Sequence, residues 1–345
     1  MAKNKVLITG GCGFVGSNLT KYLLKKSAYS VRVLDNLSSG KTEYLEKIAS
    51  EFKDVQFFDL KSGNDEGLKD KTGGRSVELI EGDIRNETDV DKSVEGTIAV
   101  VHLAALTGVP VSLEKPRETF EVNVNGTQNL LEACRSQGVN KFVMASSNAA
   151  VGEKEPPIHE EMVASPISPY GASKLSGESL VSSYANSFDL EANALRFANV
   201  YGPYSDHKMS VIPKFIRKAK SGKELEIYGD GDQTRDFIHA EDIAQAILLT
   251  LKSEQRGEVF QIGSGEGTTI NELAQKIKKL AKNKGNSKTD FDHKAPRKGD
   301  IYRNYSDPSK AKEILNFELQ YKLDEGLKRT WKSINIGTKA EDYKN

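Results

Sequence analysis

The stretch KVLITGGCGFVGSNL, residues 5–19, constrains the fold more than any other part of the chain. Val6 to Thr9 form a short apolar run of strand type. Gly10, Gly13 and Gly16 follow at three-residue spacing, and Leu19, Tyr22, Leu23 and Leu24 then recur as a helical stripe. A strand that turns at once into a helix needs the first glycine for the tight turn and the third for close helix–strand packing. The second lets backbone N–H groups approach a pyrophosphate, which the positive helix N-terminus faces. Asp35 closes the next strand-like run, Ser30 to Leu34, at about twenty residues from the last glycine. An acid there accepts hydrogen bonds from adenosine ribose hydroxyls, and its charge repels a 2′-phosphate. The pattern therefore predicts binding of NAD rather than NADP.

Strand-like runs alternate with helical stretches through the first half. The strands are expected at Val6–Thr9, Ser30–Leu34, either Val55–Phe58 or Val77–Glu81, Ala99–Leu103 and Lys141–Ala145, with another at Leu190–Phe197. Helices are expected near 17–26, 87–94, 117–137, 170–187 and from Glu241. This alternation predicts an α/β fold, a doubly wound parallel sheet of the Rossmann type with a smaller C-terminal α/β substrate domain. The expected division is a cofactor domain over 1–178, to which the chain returns later, a substrate domain mainly over 179–330, and a terminal tail over 331–345. The polar stretch 60–76 reads as a surface excursion and 285–299 as a charged loop.

Downstream, SPYGASK places Tyr170 and Lys174 one turn apart on the same helix face. An ammonium beside a phenol favours the phenolate, so the spacing predicts a Tyr170 pKa below its usual value of about 10. Such a group accepts a proton from a sugar or alcohol hydroxyl near neutral pH. A solvated lysine beside a half-buried tyrosine would show the same spacing. The glycine fingerprint upstream and the Ser146–Ser147 pair are what favour chemistry.

Composition excludes several classes. Lys+Arg and Asp+Glu both number 49 in 345 residues, so no net charge draws the chain to nucleic acid or an anionic membrane. Neither a transmembrane run nor a signal-peptide core is visible. Cys12 and Cys134 are too few for a disulfide framework, and a bridge at Cys12 would distort the glycine loop, which points to a reducing cytoplasm. The five histidines are scattered without metal-ligand spacing, and His102 in VVHLAA reads as a packed strand-end residue.

Taken in order, TGGCGFVG, DNLSSG, GDIRN, VVHLAA, NVNGT, SSNAAVG, SPYGASK, LRFANVYGP, GDGDQTRDFIHAEDIA and RKGD run nearly end to end. With these motifs the chain resembles the extended short-chain dehydrogenase/reductase family, and within it the NAD-dependent nucleotide-sugar epimerases and dehydratases. The resemblance implies inversion at C4 of a UDP-hexose through a transient 4-keto sugar. Glucose/galactose forms are the expected substrates, and a 2-acetamido form is an extension. It implies NAD held by Gly10, Gly13, Phe14, Val15, Gly16, Asp35 and Asn36, by Asp83 and Ile84 flanking the adenine, and by Leu103, Ala104 and Ala105 along the dinucleotide. Lys174 should bond the nicotinamide ribose while acidifying Tyr170, and Ser147 should bond the sugar 4-hydroxyl, with Ser146 the alternative one place upstream. Asn199, Arg235 and Arg297 match diphosphate-binding positions, Asp300 a ribose contact and Tyr228 a base contact. A homodimer through the helices near 117–137 and 170–187 is also implied.

Three positions depart from the family's usual pattern. Val151 stands where an aromatic is common, Thr107 where lysine is common, and Asn304 where the glucose/galactose-restricted bacterial form has tyrosine. The smaller Asn304 would leave room for a 2-acetamido group. A 4,6-dehydratase would need an Asp-Glu pair where this chain has Asn148-Ala149-Ala150. UDP-glucuronate epimerase or decarboxylase chemistry stays open. A non-enzymatic NAD sensor is disfavoured because Tyr170 and Lys174 are both intact.

Overall fold

The computed structural model describes residues 4–60, 74–285, 289–296 and 301–335. The first seven strands are β1 (Lys5–Thr9), β2 (Ser30–Asp35), β3 (Val55–Leu60), β4 (Arg75–Glu81), β5 (Ala99–His102), β6 (Lys141–Ser147) and β7 (Glu191–Phe197). Four short strands follow, β8 (Asn199–Tyr201), β9 (Leu225–Tyr228), β10 (Thr234–Arg235) and β11 (Phe237–His239). Then β12 (Val259–Ile262) rejoins the large sheet, before β13 (Thr268–Thr269) and β14 (Phe291–Lys294). The large sheet has the order β12-β7-β6-β5-β1-β2-β4-β3, and every neighbouring pair in it is parallel. Such strands are covered on both faces and read as continuous apolar runs rather than alternating ones; all of SVRVLD in β2 is buried.

Strand order reverses between β1 and β5, so the loops after these two strands open into the crevice where α/β sheets bind ligands. Both members of the either/or pair expected in sequence are strands, with β3 at the edge outside β4.

The helices are α1 (Phe14–Lys26), α2 (Thr42–Ser50), α3 (Glu87–Val94), α4 (Val109–Glu114), α5 (Pro116–Phe120), α6 (Gly126–Gln137), α7 (Pro169–Ser187), α8 (Val211–Lys220), α9 (Ala240–Lys252), α10 (Ile270–Asn283), α11 (Ser309–Leu315) and α12 (Leu323–Ser333). Successive strand residues point to opposite faces. Val6, Ile8, Val31 and Val33 therefore pack with Leu19, Leu23, Ile48, Ile243 and Leu315 on one face. Leu7, Leu34, Val100 and Phe142 pack with Leu130, Leu131 and Val181 on the other. A separate core of Ile212, Phe215, Leu273, Ile277, Leu327 and Trp331 joins α8, α10 and α12.

Three expectations differ. First, the stretch 285–299, expected as a charged loop, contains β14, which pairs parallel with β9. Most of the expected surface excursion over 60–76 lies outside the described residues. The helix expected over 117–137 is interrupted by a wide π-turn at Glu121–Asn125, which periodicity does not reveal. The final helix, Leu323–Ser333, runs into the stretch expected as a terminal tail, and Trp331 and the following Ile334 are buried. Both cysteines are buried free thiols. Among the described residues no helix is long and apolar enough to cross a membrane.

Candidate active site

The turn from β1 into α1 is built by close backbone approach. Gly10 adopts φ +69°, and a Cβ there would lie 2.8 Å from the Ala104 nitrogen. At Gly16 a Cβ would lie 2.4 Å from the Gly10 carbonyl oxygen, so a side chain would fill the cradle and push α1 off the strand. Helix α1 starts directly after Gly13, with Phe14 as its first residue and Val15 following, so its free N–H groups open into the crevice. Asp35, at the tip of β2, accepts from Cys12 N and Leu37 N at 2.9 Å each. Burial raises its pKa, while these two backbone bonds oppose that. Asn36 donates to Asp83 at 3.2 Å, and Arg85 pairs with the same carboxylate and holds it down to about 2. Ile84 is buried beneath Gly126, and Leu103, Ala104 and Ala105 are half-buried after β5. Cradle and carboxylate together suit a dinucleotide.

The three candidate catalytic side chains converge. Ser147 ends β6, accepts from Ala149 N at 3.2 Å, and its side chain acts on the Tyr170 phenol, lowering its pKa. Ser146 points the other way: it is buried and its hydroxyl donates to Glu178. The pleat of β6 makes this choice, because adjacent strand residues face opposite sides. Helix α7 starts cleanly, with Ser168 as N-cap accepting from Gly171 N at 3.1 Å and Pro169 at the first helical position. Gly171 brings that end of the helix onto the turn behind Ser147, where a Cβ would lie 2.2 Å from the Ala149 carbonyl oxygen. Lys174 is buried; its Nζ donates to Ala145 O at 2.9 Å and lies 5.9 Å from the centre of the Tyr170 ring.

The electrostatics correct one expectation. Tyr170 is raised rather than lowered, because burial outweighs the lowering by Ser147. Burial likewise pulls Lys174 down to about 8, against the charge of Glu178. Spacing predicts the ammonium's attraction but not the loss of water around both groups.

Asn199, Tyr228 and Arg235 line one cavity of about 410 Å³ together with Ile212 and Phe215. It lies past the C-terminal end of β7, whose Phe197 is in register with Ser147. Arg235 donates to Thr234 O at 2.7 Å. Arg297 and Asp300 lie outside the described residues. Val151 is fully buried, so it serves the core at that point. Asn304 is not free: its Oδ1 accepts from Asn148 Nδ2 at 3.0 Å, and the same amide donates to Ser306 Oγ at 3.0 Å.

Sequence reasoning missed a set of supporting residues. Asn123, in the π-turn, accepts from Leu106 N at 2.8 Å and donates to Leu106 O at 3.1 Å and Ser173 Oγ at 2.9 Å. Ser173 then donates to Tyr170 O at 2.8 Å, which ties the loop after β5 to α7. His102 continues this network. The Thr127 hydroxyl gives its proton to Asn123 O at 2.6 Å, so it accepts from His102 Nε2 at 2.9 Å. Nδ1 then accepts from Thr9 at 2.8 Å. Burial pushes this histidine down to about 3, in keeping with the packed strand-end reading. Asp236, fully buried beside Arg235, accepts from Ser264 N at 2.8 Å and Ser306 N at 3.1 Å and so fixes the loop around Asn304. These residues fall in VVHLAA, NVNGT, SPYGASK and TRDF, motifs that name the residues but not their partners.

A family model described as the NAD dependent epimerase/dehydratase family matches residues 6–263. A UDP-glucuronate 4-epimerase of Thermodesulfobacterium geofontis is 33% identical over 341 residues, covering 96% of each chain. Among solved structures, the UDP-glucose 4-epimerase of Thermotoga maritima with UDP-glucose superposes with TM-score 0.82 at 34% identity, covering 95% of this chain and 98% of that one. The Thermus thermophilus UDP-glucose 4-epimerase complex with NAD gives TM-score 0.80 at 31% identity, with coverage of 95% and 98%.

Proposed function

The chain belongs to the NAD dependent epimerase/dehydratase family, and on that premise we propose that it inverts C4 of a UDP-hexose through a transient 4-keto sugar. UDP-glucose/UDP-galactose is the first reading. The observation that carries it is the Ser147–Tyr170–Lys174 cluster at the end of β6, beside the crevice of the glycine cradle. Ser147 orients the sugar 4-hydroxyl and Tyr170 takes its proton; burial raises the Tyr170 phenol, and the Lys174 ammonium opposes that rise by favouring the phenolate. Bound NAD supplies reversible hydride transfer at the same carbon. Its pyrophosphate would lie against Gly10, Gly13, Phe14, Val15 and Gly16, its adenosine ribose against Asp35 and Asn36, and its adenine against Asp83 and Ile84. Leu103, Ala104 and Ala105 would line its path towards Tyr170 and Lys174.

Asn199 and Arg235 hold the diphosphate, joined by Arg297, and Tyr228 flanks the base with Asp300 on its ribose. An arginine fork matches phosphate oxygens. Because these anchors grip the nucleotide, the hexose is the part left to turn before C4 is reduced from its other face. Asn304, smaller than a tyrosine, supports acceptance of UDP-GlcNAc/UDP-GalNAc. A homodimer through the α4–α7 side is supported by the exposed Val109, Leu113 and Phe120.

A second reading, UDP-glucuronate 4-epimerase or decarboxylase, is supported by the relative that carries the first of these names. Incubation with a panel of UDP-sugars without added NAD, followed by chromatography, separates the readings. A C4 epimer of one neutral sugar supports the first. Protein that retains NAD yet converts none of the panel overturns both.

A further inference from the structure

Glu178 lies one turn beyond Lys174 on α7, and no step of the proposed reaction uses it. Its carboxylate is gripped bidentately by Arg196 of β7, Nε to Oε1 at 2.8 Å and Nη2 to Oε2 at 2.7 Å. Both side chains are only 5% exposed. The Ser146 hydroxyl donates to the same Oε1, and Ser146 and Arg196 are register neighbours across β6 and β7. Three hydrogen bonds thus fix a carboxylate in the interior, at the one-turn spacing that brings helix side chains together. A fully buried ion pair is a weak device for stability, since apolar residues of similar volume often serve as well.

We propose that Glu178 is a positioning residue for the catalytic pair: locked by Arg196 and Ser146, its carboxylate keeps the buried Lys174 ammonium charged beside Tyr170. This rests on the proton-acceptor role given to Tyr170 above. The groups facing Lys174 are Tyr170 and Glu178 from α7 and His102 from β5, with Arg196 behind Glu178. His102 is held neutral by burial, and Lys174 contributes to that. Burial lowers Lys174 and Glu178 is the charge that raises it; the charged groups on other elements packed against α7 include Glu118 of α5, Glu121 of the π-turn, and Glu132 and Arg135 of α6.

The test is Glu178→Gln, which preserves shape and removes the charge. Loss of the ammonium's charge makes the phenolate harder to form. The rising limb of kcat against pH should therefore move upward by about one unit, roughly a tenfold loss at neutral pH, while KM stays within about threefold. A second readout needs no turnover. The phenolate absorbance assigned to Tyr170, from the difference between the parent and Tyr170→Phe, should titrate about one unit higher in Glu178→Gln. If no UDP-sugar is converted, the functional reading fails while this titration still judges Glu178.

Because the single variant leaves Arg196 unpaired, Glu178→Gln/Arg196→Gln is the companion: it removes the unpaired charge and should show a displacement in the same direction, smaller by what that charge adds. Curves that superimpose on the parent in either folded variant overturn the proposal. Failure of both variants to fold also overturns it, because the pair is then structural.

Discussion

Gly171→Ala tests whether close packing, and not merely residue identity, sets the catalytic geometry. The added Cβ would stand 2.2 Å from the Ala149 carbonyl oxygen, whereas real Cβ contacts essentially never fall below 3.0 Å. The helix start must therefore retreat by close to an ångström. Ala149 is backbone in the turn directly behind Ser147, so no flexible side chain can absorb the shift. Tyr170 is the preceding residue and moves with it. A misplacement of that size at a reacting group costs about 10²-fold in rate. Overpacking costs about 1–3 kcal/mol of stability, and only part of that is recovered from the better helix propensity of alanine.

Gly177→Ala is the internal control. There the Cβ would meet Met144 Cε at 2.4 Å, the far end of a flexible side chain that can swing aside. The assay is kcat by chromatographic quantification of the epimer, together with a thermal melt and the retained NAD content. We expect Gly171→Ala to lose about 10²-fold in kcat with NAD retained, and Gly177→Ala to stay within about threefold of the parent. Parent-like kcat in Gly171→Ala, or equal losses in the two variants, would refute the reasoning.

Four further outcomes follow from the same geometry. Tyr170→Phe should reduce turnover by about 10²–10⁴-fold while NAD content, measured after denaturation, is unchanged. Lys174→Met should shift the acid limb of kcat upward, and an unmoved pH profile would contradict its role. Arg235→Ala should raise KM for the UDP-sugar far more than it lowers kcat, as removal of uniform binding does. Finally, His102 is pushed down to about 3, and His207 and His239 to about 4. The unfolded chain takes up protons near pH 6.5 that the folded chain refuses until well below, so stability should fall as pH drops from 6.5 towards 4. Urea midpoints across that range check this, and His102→Gln should flatten the slope.

Much of this protein is legible in its sequence because the signals are local. A strand that enters a helix through Gly10, Gly13 and Gly16, with an acid ending the next strand, leaves one backbone path. Tyr170 and Lys174 share a face because helix pitch is fixed. Continuous apolar runs such as Val6–Thr9 announce a sheet covered on both sides. What the linear chain does not carry is where water is excluded and which distant groups meet. Spacing alone has the ammonium lower the phenol; burial of both groups reverses the direction for Tyr170. Ser146 and Ser147 are chemically the same, and only the pleat of β6 sends one to Glu178 and the other to Tyr170. Asn123, Asp236 and Arg196 gain their roles across separations of 17 to 70 residues, through hydrogen bonds that have no period. Sequence determined the backbone path and the reagents, since both depend on neighbours along the chain. Tertiary structure decided their charge states and their aim, since both depend on what is packed around them.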